Sequence, residues 1–179
     1  MVYIFLADGF EETEALVPID ILRRAGIEAQ IVGVTGKTVA GSHGIKVECD
    51  IEIKDASTHG LDAVILPGGM PGTTNLDKNG DVHHFIDYAT EQDLVIAAIC
   101  AAPSILGKKG LLRGKNAVCF PGFEDELKGA NVPDSFVCAD GNVITAKGMG
   151  SAVNFGLEIV AYFKGREAAE KLKATLQCS

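Results

Sequence analysis

Between Leu94 and Ile99 the chain reads Leu-Val-Ile-Ala-Ala-Ile, apolar at every position. Side chains alternate between the two faces of a strand, so a run with no polar residue has to be covered on both faces. That requirement selects a central strand of a parallel sheet with helices on each side. The neighbouring segments fit it. Residues 2–7 form a short apolar run closed by Asp8-Gly9, and Ala63–Leu66 is another, ending abruptly at Pro67-Gly68-Gly69. Residues 28–34 read as a strand that follows a helix over 11–25. In that helix Ala15, Leu16, Ile19, Leu22 and Arg23 fall at helical spacing, and Gly26 closes its end. Pro18, inside it, is expected to kink the helix or disturb its first turns.

The rest of the chain extends the same pattern. Residues 35–55 are rich in glycine and alternate through Ile45, Val47, Cys49, Ile51 and Ile53, which predicts an antiparallel ribbon or an edge element. Helices are expected over 81–90, from 101 onward, over 151–163 and over 166–176. Strands are expected over 116–120 and 143–146, with 135–139 as a hairpin partner. No repeat or linker interrupts the pattern. The expectation is one domain over residues 1–179, a three-layer α/β/α sandwich with a mostly parallel central sheet.

Composition excludes several classes. With 24 acidic and 16 basic residues the formal net charge is −8, so no basic face is expected for nucleic acid or an anionic membrane. The longest apolar stretch, 94–106, is interrupted by Pro103 and Ser104 and is too short to span a bilayer. The start of the chain lacks the basic residues and longer apolar core of a signal peptide. Five scattered cysteines without a CxxC pair suit a reduced, cytoplasmic protein, and no Cys/His spacing suggests zinc.

Three segments could carry chemistry. Cys100 stands at the carboxyl end of the all-apolar strand, just before a helix begins with Ala101-Ala-Pro103. Ligand crevices of open α/β sheets lie at that end, and a sharp strand-to-helix turn exposes its side chain. A helix N-terminus is expected to lower the thiol pKa. A buried, inert cysteine is the plain alternative. Pro67-Gly68-Gly69, at another strand end, lets backbone N–H groups face developing negative charge, as an oxyanion hole must, although flexible glycines alone would make the same loop. Glu11-Glu12-Thr13-Glu14 opens the first helix. Its acidic residues suit a helix N-terminus, yet one carboxyl could face the crevice and exchange protons.

Taken in order, Gly9-Phe-Glu-Glu-Thr-Glu14, Asp20-Ile-Leu-Arg-Arg-Ala-Gly26, Leu66-Pro-Gly-Gly69, residues 97–103 and Lys147-Gly-Met-Gly150 resemble the ThiJ/PfpI superfamily over essentially the whole chain. The likeness is greatest to its branch of Parkinson disease protein 7 and bacterial relatives. The resemblance implies a flavodoxin-like fold, similar to class I glutamine amidotransferases. It implies Cys100 as nucleophile, Glu14 as its carboxyl partner, and the Gly69 and Ala101 amides as oxyanion donors. It also implies a homodimer that brings His43, and with it the partner's Arg24, toward a shared site. Relatives with a Cys–His pair carry histidine near Phe120 or directly after the cysteine. Here Phe120 and Ala101 stand there, which leaves acid–base work to Glu14.

The activity so implied is cofactor-free: conversion of methylglyoxal to lactate, or deglycation of early adducts on protein side chains or nucleotides. Redox sensing and chaperoning through the same cysteine form the other class. An older family label, thiazole monophosphate synthesis, finds no phosphate-binding motif here. Of the other histidines, His83 and His84 read as a solvated helix face and His59 as a loop residue. Cys119 and Cys138 read as core, and Cys178 as an exposed thiol.

Overall fold

The computed structural model describes residues 1–178. The chain lays down β1 (Val2–Leu6), α1 (Glu12–Arg24), β2 (Ala29–Gly33), β3 (Thr38–Ala40), β4 (Lys46–Glu48), β5 (Ile51–Glu52) and β6 (Ala63–Leu66). It continues with α2 (Gly72–Asp77), α3 (Gly80–Glu91), β7 (Val95–Ile99), α4 (Pro103–Lys108), β8 (Val137–Asp140), β9 (Val143–Ala146), α5 (Ala152–Lys164) and α6 (Arg166–Thr175).

The central sheet has strand order β5-β2-β1-β6-β7-β9-β8. Every neighbouring pair is parallel except the β8–β9 hairpin. All five residues of β7 are buried, as its all-apolar sequence demands. Alternate side chains feed two separate cores. Ile4, Leu6, Ile65, Ala97 and Ile99 pack with α1, α5 and α6, while Phe5, Val64, Leu66, Ile96 and Ala98 pack with α2, α3 and α4. This is the expected three-layer sandwich of the flavodoxin-like type.

Two local expectations change. Helix α1 runs uninterrupted through Pro18, although the ring removes the donor that Glu14's carbonyl would otherwise meet. Pro18 and Ile21 instead press on α5 where it carries Gly156; a Cβ there would stand 3.0 Å from Ile21 Cδ1. Residues 116–120 form no ladder strand. Both edges of β9 are taken by β7 and β8, so Val118 donates its N–H to the Thr145 side chain at 2.9 Å instead. The stretch 35–55 realises both of its alternatives: β3 and β4 make the antiparallel ribbon, and β5 joins the sheet edge beside β2. Asp50 marks the break, accepting from the Ile31 N–H at 2.7 Å and from Arg23 at 2.6 Å. Helix α2, directly after the Gly-rich loop, had no periodic signal in its six residues. No helix among the described residues is long and apolar enough to cross a membrane.

Candidate active site

In strand order β1 is flanked by β2 on one side and β6 on the other, so the winding reverses there. The crevice of such a sheet opens at the carboxyl ends of the strands around the reversal. Four segments meet at that edge: the loop from β1 into α1, the turn after β6, Cys100 after β7, and residues 147–150 after β9.

Cys100 has φ +66°, a left-handed conformation that costs a non-glycine residue about 1–3 kcal/mol. The turn is held from both sides. Cys100 N–H donates to the Ala146 carbonyl at 2.9 Å, and its own carbonyl accepts from Phe120 N–H at 2.8 Å. The side chain is half-buried, and its ionisation is set by the Glu14 carboxyl and by the Gly69 and Ala101 N–H groups around the sulfur.

Glu14 lies in the first turn of α1, only 1% exposed. Its Oε2 accepts from Gly68 N–H at 3.0 Å, and the Met149 N–H adds a weaker pull toward the charged form. Burial lifts its pKa to about 7, against the pull of the hydrogen bonds from Cys100 and Gly68. The carboxyl therefore exchanges its proton at neutral pH, as an acid–base group must.

The expected low thiol pKa is not what the surroundings produce. Burial, the Glu14 charge and its hydrogen bond push Cys100 up to about 12, outweighing the two backbone N–H groups. The Glu14 contributions belong to its ionised form. A protonated Glu14 donates to sulfur instead and favours the thiolate, so the pair titrates as one unit around a shared proton.

Glycine is needed at two adjacent positions for different reasons. A Cβ on Gly68 would stand 2.5 Å from both Cys100 Cβ and Glu14 Oε2, so only glycine lets the turn pass between the pair. Gly69 has φ +88° and sits against the Glu11 backbone, whose N–H donates to the Gly68 carbonyl at 2.9 Å. Sequence reasoning singled out Gly69 and missed Gly68, because the Gly-Gly motif does not say which residue meets the carboxyl. It also missed the Met149 N–H, which nothing in its side chain could reveal. Across Gly148 from Glu14 lies an open cavity of about 280 Å³ lined by Phe120, Phe136, Lys147, Gly148 and Met149, with neither Glu14 nor Cys100 in its wall.

The model of the DJ-1/PfpI family matches residues 1–162. This chain belongs to that family. It is 36% identical over 178 residues to the Parkinson disease protein 7 homolog of Danio rerio, covering 97% of this chain and 94% of that protein. It is 33% identical to protein dj-1beta of Drosophila melanogaster, covering 94% and 92%. Among solved structures, Toxoplasma gondii DJ-1, described as oxidized, superimposes with TM-score 0.95 at 33% identity over 99% of this chain and 98% of that one. Drosophila melanogaster DJ-1beta gives 0.93 at 32% identity over 99% and 97%.

Other family expectations fare differently within one chain. His43 is held by Glu12. Its backbone N–H donates to Glu12 Oε1 at 2.8 Å and its Nδ1 lies 3.0 Å from Glu12 Oε2. Arg24, paired with Asp20 at 2.6 Å, occupies the opposite end of α1. Glu11, Glu12 and His43 present ligand atoms within 4.8 Å of one another, a grouping that the sequence spacing hid. The Glu12 carboxylate is already engaged by His43 and the Ile45 N–H, so it ties the β3–β4 ribbon to α1. Those bonds outweigh the upward push of burial and hold its pKa near about 2.

His83 is not simply solvated: it is half-buried, its Nε2 2.7 Å from the Asp77 carbonyl, while His84 and His59 are exposed. Cys49 and Cys119 are buried. Cys138, expected in the core, and Cys178, expected to be exposed, are both half-buried.

Proposed function

We propose that this chain is a cysteine-dependent enzyme acting on reactive α-oxoaldehydes, of which methylglyoxal is the simplest test substrate. What carries the proposal is the strained Cys100 turn, with the Gly69 and Ala101 N–H groups and a Glu14 carboxyl that titrates near neutral pH all acting on its sulfur. The Cys100 thiolate adds to the aldehyde carbon, the new oxygen is held by the two amides, and Glu14 passes it the proton that it had held for the pair. Glu14, now ionised, removes the proton from that carbon and returns it to the neighbouring ketone carbon, while the hydroxyl proton moves to the ketone oxygen. The first carbon is thereby oxidised to a thioester and the second reduced to an alcohol. Water then cleaves the thioester, releasing the 2-hydroxy acid and restoring the thiol. Deglycation of early adducts would begin with the same addition.

The test is steady-state turnover of methylglyoxal. Cys100→Ser should abolish it. Glu14→Gln should lower kcat by at least about 100-fold, the usual contribution of one acid–base group. Turnover retained in Cys100→Ser would overturn the assignment.

A second reading has its own support: a similar protein from Toxoplasma gondii is described as oxidized. The two N–H groups and a protonated Glu14 would equally stabilise a sulfinate on Cys100. No methylglyoxal turnover, together with selective peroxide oxidation of Cys100, would favour that role. The homodimer remains part of the proposal, and light scattering should give about twice the 18.8 kDa chain mass.

A further inference from the structure

Seven large hydrophobic side chains are exposed among the described residues, and three of them, Phe120, Phe136 and Met149, line the cavity that Gly148 separates from Glu14. They are 47%, 71% and 59% exposed, so the protein keeps apolar area in water next to its chemistry. Lys147 adds its alkyl stem to the wall. Its ammonium is 5.2 Å from the Phe136 ring and 3.1 Å from the Asp134 carboxylate, so its charge is engaged at the rim.

The two oxygens of Glu14 face different surroundings. Oε2 is closed in by Gly68, where even one added carbon would stand 2.5 Å away. Oε1 looks toward Gly148, where an added Cβ would lie 3.7 Å from the oxygen and 3.3 Å from the Phe120 ring. Of the two sides of the carboxyl, the Gly148 side is the more open, and Gly148 also lines the cavity.

We propose that this cavity is the substituent pocket, and that the chain acts on α-oxoaldehydes bearing a bulky apolar group, above all an aromatic ring, in preference to methylglyoxal. The inference rests on the carbonyl chemistry proposed for Cys100 and adds no chemical step: R–CO–CHO plus water still gives R–CHOH–COOH. Size and lining both favour a ring. The cavity is open to solvent, about 280 Å³, with room for a ring to lie against its aromatic and thioether wall. A methyl group would leave most of that wall wet, whereas a ring covers Phe120 and Met149 and stacks within reach of Phe136.

The experiment compares kcat/KM for phenylglyoxal and methylglyoxal in wild type, Phe120→Ala and Met149→Ala. Wild type should favour phenylglyoxal by about tenfold or more, and each variant should reduce that ratio severalfold. A ratio near one in wild type, or a ratio neither variant moves, overturns the pocket assignment. Turnover of neither substrate overturns the carbonyl reading itself, and binding then decides the pocket separately. On Cys100→Ser, ligand-detected NMR should show mandelate, the aromatic 2-hydroxy acid, binding about tenfold tighter than lactate, with the preference lost in Phe120→Ala. Equal binding of the two acids refutes the pocket.

Discussion

Replacing Glu14 with glutamine keeps the shape and the acceptor for Gly68 N–H but removes the titration. Glu14 is 1% exposed, and burial raises its pKa from 4.5 to about 7. A carboxyl whose folded pKa lies above its unfolded value holds its proton more tightly when folded. Its contribution is fully present below the unfolded pKa and is lost as pH rises through the folded one. At 1.36 kcal/mol per unit, a rise from 4.5 to about 7 corresponds to about 3 kcal/mol. The stability of Glu14→Gln relative to wild type should therefore increase by about 3 kcal/mol between about pH 4 and pH 8.5, or about 6–12 °C in Tm for a chain of this size. Urea unfolding of both proteins across that range measures it, and the subtraction removes the effect of every other titrating group. Repeating the pair in Cys100→Ser separates the contribution of the thiol. A difference that stays constant with pH, or that moves in favour of wild type as pH rises, would refute a buried carboxyl with a raised pKa and the acid–base role built on it.

Three further outcomes are expected. Gly68→Ala puts a carbon 2.5 Å from both Cys100 Cβ and Glu14 Oε2, so kcat should fall about 100-fold, and near-normal turnover would show that the turn can yield. Glu12, held near about 2, contributes stability above pH 4.5 that is lost as pH falls toward 2. Glu12→Gln should thus cost at most about 3 kcal/mol at neutral pH, less for the screening of the exposed His43, and the cost should vanish in acid unfolding measurements. Peroxide should oxidise Cys100 before the other four cysteines, with a rate that levels off above about pH 7, where the pair has lost its first proton and shares the one that remains. Peptide mass spectrometry showing a rate that climbs with a midpoint near the free-thiol value of about 8.5 would refute the coupling.

Much of the fold was legible because burial on both faces leaves a mark on every residue. The run through β7 had to be a central parallel strand, and the short apolar strands followed by helices had to wind around it. Cys100 was legible for the same reason, since the strand that ends there can only deliver it to the carboxyl edge. Segment 116–120 was misread because its apolar content reports burial, not pairing, and β9 had no free edge to offer. Which glycine of the pair meets Glu14, that Met149 contributes an N–H, and that Phe120, Phe136 and Met149 share one cavity are decided by loops from four strand ends converging. The ionisation of the site belongs to the tertiary structure as well. A helix N-terminus read from the sequence argues for a low thiol pKa, but the depth at which Glu14 and Cys100 are buried together, and the proton they share, exist only once the chain has folded.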